Sequence, residues 1–181
     1  MTHSYKINDK LESHTASYTV ALDAGTDYAT QVGLIISLFA LVEGYVPYAL
    51  EKMIGIKRAD ARSIAGVFRA FSNKIDLLHQ INRNKGKIER VVFSHYKCLF
   101  SEANKIRNKY AHATYSYART HFKLQTYSGD YNRSPEIIDG TLADFVSDAT
   151  TLRRIINDLH GFYVRNEIPR TLDEQLRKLF P

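Results

Sequence analysis

Apolar residues recur along this chain at helical spacing through several long stretches and change to a spacing of two in one short stretch. The most apolar run is Val32 to Val42, closed by Glu43 and Gly44. It is shorter than the roughly 20 residues that span a bilayer, so it predicts a buried core helix. The helical pattern around it covers about residues 27–54. Pro47 is expected to kink that helix, and Gly55 is placed to stop it. A second helix is expected over about residues 60–81, where Ile64, Val67, Phe68, Phe71, Ile75 and Leu78 form one apolar stripe. The basic turn Arg83-Asn84-Lys85-Gly86-Lys87 follows.

A third helix, about residues 87–113, places Ile88, Val92, His95 or Tyr96, Leu99, Ala103, Ile106 and Tyr110 on one side. On the same wheel Asn104, Asn108 and His112 form a row at steps of four, facing away from that stripe, with Ser101 on the same side. From Thr114 to Tyr127 the period becomes two, which predicts strands and a hairpin near residues 119–121, with another short strand at 136–138. Thr141 and Asp144 read as a capping box opening a helix to about Val164. Its stripe is Leu142, Phe145, Val146, Ala149, Leu152, Ile156, Leu159 and Tyr163. Pro169 precedes a short terminal helix over 172–180, and residues 1–25 receive no assignment. The fold class expected is mainly α: an antiparallel four- to five-helix bundle with a small β-hairpin insertion between the third and fourth main helices, as a single domain over 1–181.

Composition narrows the function only slightly. The net charge of +6, from 25 Lys and Arg against 19 Asp and Glu, allows an anionic partner without requiring one. A single cysteine, Cys98, leaves no disulfide framework and no cysteine zinc site. A cytoplasmic protein with no bound metal, no cofactor and no membrane partner is expected.

The stretch Arg107-Asn108-Lys109-Tyr110-Ala111-His112 carries the candidate chemistry. Arginine offers a planar, permanently charged fork for phosphate oxygens, and histidine exchanges a proton near neutral pH. The bare spacing recurs at Arg90/His95 and nearly so at Arg153 or Arg154 and His160. Apolar residues follow Arg90 and Arg154, and His95 falls within the core stripe of its helix, which reads as a satisfied interior histidine. Of Arg90, Arg107 and Arg154, only Arg107 is followed by a hydrogen-bonding side chain. On a helix Arg107 and His112 stand about 7.5 Å apart along the axis and roughly 140° apart around it, a gap that a long arginine arm can bridge.

This motif, near the end of a long helix in a bundle, resembles the HEPN superfamily, whose signature is Arg, four to six residues, then His, with a polar residue commonly after the Arg. Only the motif is specific; the rest of the likeness is bundle architecture. Many HEPN proteins are metal-independent endoribonucleases of toxin–antitoxin, phage-defence or RNA-processing systems that act as dimers with two motifs facing each other. The resemblance implies that Arg107 and His112 are catalytic and that Asn108 supports them. It implies single-stranded or looped RNA as substrate, a homodimer with a composite site, and a separate antitoxin or regulator protein. One branch places Tyr two residues after the His. Here that position is Thr114 and the tyrosine follows at Tyr115.

Several readings stay open beside it. Asn104 and Asn108 either orient His112 or bind phosphate. Tyr115 and Tyr117 are either base-stacking platforms or plain sheet surface. Arg83, Lys85, Lys87 and Arg90 either contact the RNA backbone or form a solvated loop. Glu43 is either a buried partner for a charge such as Arg107 or an exposed face residue. The alternative function is a non-catalytic, HEPN-like dimeric interaction or RNA-binding module. A DNA-binding regulator is a third reading, with no clear recognition helix to support it.

Overall fold

The computed structural model describes residues 26–111, 113–118, 121–126 and 136–180, and the protein is mainly helical. The helical segments are α1 (Thr26–Glu43), α2 (Val46–Ile54), α3 (Arg58–Val67), α4 (Phe71–Arg83), α5 (Lys87–Ala111), α6 (Leu142–Tyr163) and α7 (Arg170–Leu179). Between α5 and α6 the backbone pairs as an antiparallel sheet in the order β1 (Ala113–Ala118), β2 (His121–Thr126) and β3 (Glu136–Gly140).

The first expected long helix is two. The chain turns at Gly44 and Tyr45, whose amides donate to Ala40 O and Val42 O at 3.0 Å each. Pro47 sits in the first turn of α2 rather than at a mid-helix kink. Its ring nitrogen has no proton to donate, so it costs least where a helix begins. A Cβ on Gly44 would stand 3.1 Å from Leu41 O, so the turn favours a glycine there. Gly55 ends α2 at φ 71°, with its amide on Glu51 O at 2.8 Å. By length and composition residues 30–54 are apolar enough to cross a membrane, a longer stretch than Val32 to Val42. The turn at 44–45 interrupts it, and Ile35, Leu38, Phe39, Val42, Val46, Ala49 and Leu50 are buried against other helices.

The second expected helix is also two. Phe68 to Ala70 is extended backbone, with ψ 108° at Phe68 and 133° at Ala70. Gly66 weakens the helix just before that break. The break changes the phase of the stripe. Ala61 and Ala65 are buried on α3, whereas Val67 is 77% exposed. Phe71 then packs edge-on against Phe39 and Phe100, with ring centroids 4.8 and 6.1 Å away. Aromatic contacts of this kind add about 0.5–1.5 kcal/mol beyond the area they bury.

Helix α5 is the axis of the body, in contact with α1, α4, α6 and α7. Because neighbours surround it, its buried face is wider than one stripe. Phe93 and Phe100 join Tyr96, Leu99, Ala103, Ile106 and Tyr110, while Ile88 remains 53% exposed. On α6 the capping box forms: the Thr141 amide donates to Asp144 Oδ2 at 2.7 Å. Hydrogen bonds from the backbone and side chain of Thr141 hold the Asp144 carboxyl below its usual range. Leu142 and Val146, expected in the α6 stripe, are exposed, and Ile155 is buried instead.

A candidate anion-binding cleft

Arg107, Asn104 and Asn108 project from the last turns of α5 into a cleft of about 520 Å³. Phe39 and Glu43 of α1 form one wall; Arg69, in the α3–α4 break, and Ser72, in the first turn of α4, form another. The expected row Asn104-Asn108 therefore does not look away from its own bundle. A helical wheel shows only which residues share a face of α5, whereas α1 and α4 wrap around that face. Asn104 and Arg107 are half-buried in the cleft, and Asn108 is exposed at its edge. His112 lies outside the described residues. Tyr115 belongs to β1, paired with Leu124, and its side chain also lies outside them.

The guanidinium of Arg107 donates from Nη1 to Asn108 Oδ1 at 2.9 Å, and its centre stands 5.8 Å from the Phe39 ring. These contacts hold a long side chain across the cleft. Glu43 lines the same cleft but pairs with Lys74 of α4, not with Arg107. That pairing settles the two readings of Glu43: it is half-buried, and its charge is matched within the wall. Arg69 is exposed. Helix α4 begins at Ala70 without a side-chain cap, so its first amides carry partial positive charge toward its N-terminal end. The cleft thus combines two guanidinium groups, amide and hydroxyl hydrogen-bonding groups and a positive helix end, which suits a phosphate-bearing ligand.

The centre of the motif is anchored in the opposite direction. Lys109 and Tyr110 both donate to the carboxylate of Asp148 on α6, Lys109 at 2.9 Å. Tyr110 also stacks on Phe145, with centroids 4.8 Å apart. Around α5, Arg107 lies about 160° from Lys109 but only about 60° from Tyr110, and Asn108 about 160° from Tyr110, so tethering 109 and 110 to α6 leaves 107 and 108 on the flank turned away from Asp148.

The remaining candidates lie elsewhere. Arg83, Lys85 and Lys87 sit around the α4–α5 turn, and Lys87 is roughly 30 Å along α5 from Arg107 at 1.5 Å per residue. One chain does not bring them to the Arg107 cleft. His95 is half-buried rather than interior, in a groove between α5 and α7 shared with Lys87 and Cys98, and Tyr96 takes the core position. Burial lowers the His95 imidazole below its usual value, opposed by Asp158 and reinforced by Arg154. Arg154 pairs with Glu102 at 3.1 Å and His160 meets Tyr45 Oη at 3.2 Å, so these two residues serve separate contacts. Sequence reading missed Arg69 and Ser72, because their approach to Arg107 depends on a helix break that no Gly-Pro signal marks. Among the described residues, no group of three or more His, Cys, Asp or Glu side chains is placed to hold a metal ion. Comparison of the chain with protein-family models, curated proteins and solved structures returns no match.

Proposed function

We propose that this chain is a metal-independent endoribonuclease of HEPN type that cuts single-stranded or looped RNA in the cytoplasm, as a toxin or phage-defence effector. The architecture that belongs to this reading is a bundle of four to five long helical units carrying a β-hairpin insertion. The observation that carries it is the gathering of Arg107, Asn104 and Asn108 with Arg69 in one cleft. In this reaction the RNA 2′-oxygen forms a bond to the adjacent phosphorus and the bond from phosphorus to the 5′-oxygen breaks. The products are a 2′,3′-cyclic phosphate and a 5′-hydroxyl. His112, assigned by the motif, moves a proton between the 2′-hydroxyl and the leaving 5′-oxygen. Arg107 stabilises the negative charge that accumulates on the phosphoryl oxygens. Asn104 and Asn108 hold phosphate or the arginine in place. A second copy of the chain completes the site, and a separate antitoxin or regulator protein restrains it.

The test is incubation of the purified chain and an Arg107→Ala/His112→Ala double variant with structured and unstructured RNAs in EDTA, followed by analysis of the product ends. The parent is expected to leave cyclic phosphate and 5′-hydroxyl ends, and the double variant to lose cleavage. A double variant that cuts as fast as the parent rejects the reading. RNA binding without cleavage by either protein supports the non-catalytic module instead.

A further inference from the structure

Helix α5 carries a stripe that faces outward beside α7. Lys87, Arg90, Val91, Ser94, His95 and Cys98 stand on it at i, i+3, i+4, i+7, i+8 and i+11, which is one face of a helix. Leu172 and Leu176 pack α7 against the core. Its Gln175 and Leu179, with Phe180 just beyond it, are left as the facing wall. The two walls bound a groove of about 670 Å³ that shares no lining residue with the Arg107 cleft.

The groove is an open trough rather than an enclosed pocket. Lys87, Arg90, Ser94, Cys98, Gln175 and Leu179 are exposed in it, Leu179 by 60%. A small ligand is buried over most of its surface in its site, which walls on two sides do not provide. A trough between two helices fits a third helix laid along it, apolar face inward. The stripe on α5 is roughly 17 Å long at 1.5 Å per residue, the length of about three helical turns. Val91, Leu179 and Phe180 supply the apolar surface.

Charge in the groove has one sign and one place. Lys87 and Arg90 lie in the first turn of α5, and no Asp or Glu lines the groove. Neither cation forms an ion pair among the described residues. The acids of the two walls are engaged elsewhere. On α7 Asp173 pairs with Arg177 at 2.9 Å and Glu174 with Arg170 at 3.0 Å. On α5 Glu89 accepts the Gly86 amide at 2.9 Å and Glu102 pairs with Arg154 at 3.1 Å. Burial lowers the His95 imidazole, opposed by Asp158 and reinforced by Arg154, so the ring is neutral at about pH 7 and adds no charge.

We propose that this groove docks an amphipathic helix of a partner protein, about three turns long. Its apolar face meets Val91, Leu179 and Phe180, and Asp or Glu in one end turn meets Lys87 and Arg90. Charge selects this occupant. The chain carries +6 overall, so a second copy brings mostly the wrong sign to two unpaired cations. An RNA backbone calls for cations along its whole track, whereas here they occupy one end. Docking at this groove does not depend on the Arg107 cleft being a ribonuclease site.

The experiment selects phage-displayed random peptides of about 14 residues, enough for about three turns and their ends, on the full chain with counter-selection on Leu179→Gln. Enriched peptides are synthesised with a fluorophore and measured by anisotropy. They are expected to carry apolar residues at steps of three and four and Asp or Glu in one end turn. Arg90→Gln and Leu179→Gln are each expected to weaken their binding by about tenfold or more, as loss of an interface anchor does. Lys105→Gln, which removes an exposed cation of α5 outside the groove, is expected to leave affinity unchanged. Cys98, the single cysteine of the chain, is exposed on the groove, so a bound peptide is expected to slow its alkylation by N-ethylmaleimide. Should a variant fail to fold by circular dichroism, protection of Cys98 in the parent chain decides the outcome. The proposal is overturned if no peptide is enriched, if enriched peptides lack acids, if Arg90→Gln binds undiminished, or if Cys98 reacts as fast with peptide as without. Protection of Cys98 by an oligouridylate, or by raising the concentration of the chain itself, assigns the groove to RNA or to a second copy and overturns it as well.

Discussion

The hydroxyl of Tyr110 donates to the carboxylate of Asp148, which lies 38 residues further along the chain on a different helix. Tyr110 is 1% exposed, and the same carboxylate receives Lys109 at 2.9 Å. This junction fixes the rotation of the last turns of α5 and therefore the direction in which Arg107 points.

Removing that junction should cost stability before it costs chemistry. Tyr110→Phe loses a hydrogen bond to a charged acceptor, a change worth about 1.5–3 kcal/mol. Asp148→Ala should cost at least as much, because it leaves a buried hydroxyl and an ammonium without their shared acceptor. Urea unfolding monitored by circular dichroism measures both. An Asp148→Ala midpoint indistinguishable from the parent would remove the junction from the account.

Arg69 should act on ligand binding alone. It is exposed, so Arg69→Ala should change stability by no more than about 0.5 kcal/mol. If Arg69 neutralises one RNA phosphate, its loss should lower affinity and flatten the dependence of log K on log salt by about 0.7, the value per phosphate for a single strand. Fluorescence anisotropy across a salt series reads that slope. An unchanged slope would place Arg69 outside the binding surface. In the same assay Arg107→Lys should not restore parental affinity, because an ammonium cannot reproduce the bidentate fork.

Acid should weaken the fold through His95. Its folded pKa is lowered from 6.5 by burial, with Asp158 opposing and Arg154 adding to the effect. Below 6.5 and above the lowered folded value, the unfolded chain holds a proton that the folded chain does not. Stability therefore rises with pH across that window and is fully present above it. Lys87 and Arg90 line the same groove. His95→Gln should flatten the stability profile measured by urea unfolding between about pH 5 and 7. A profile unchanged by the substitution would assign the slope to other groups.

Much of the helical content was legible because burial against one side imposes a 3.6-residue period. The Thr141–Asp144 box and the Gly55 stop were legible for a local reason: each is satisfied by residues within four positions along the chain. The breaks were harder. Pro47 signalled a disturbance but not its position, since a proline is tolerated in a first turn and disruptive only beyond it. The break at Phe68 to Ala70 has no proline; Phe71 gains its place between Phe39 and Phe100 only when the bundle assembles. His95 and Tyr96 were interchangeable on a wheel, and packing against Phe162 and Tyr163 selected the tyrosine.

By itself the sequence determined that Arg107, Asn104 and Asn108 occupy neighbouring positions on one helix, because spacing along a helix is a matter of covalent geometry and period. It also determined which residue types could handle a phosphate. Tertiary structure decided what stands opposite them. The turn at Gly44, the break at Phe68 to Ala70 and the anchoring of Tyr110 on Asp148 bring Glu43, Arg69 and Ser72 to the same cleft. Those encounters join segments distant in sequence, so they depend on how whole helices pack and no local pattern encodes them.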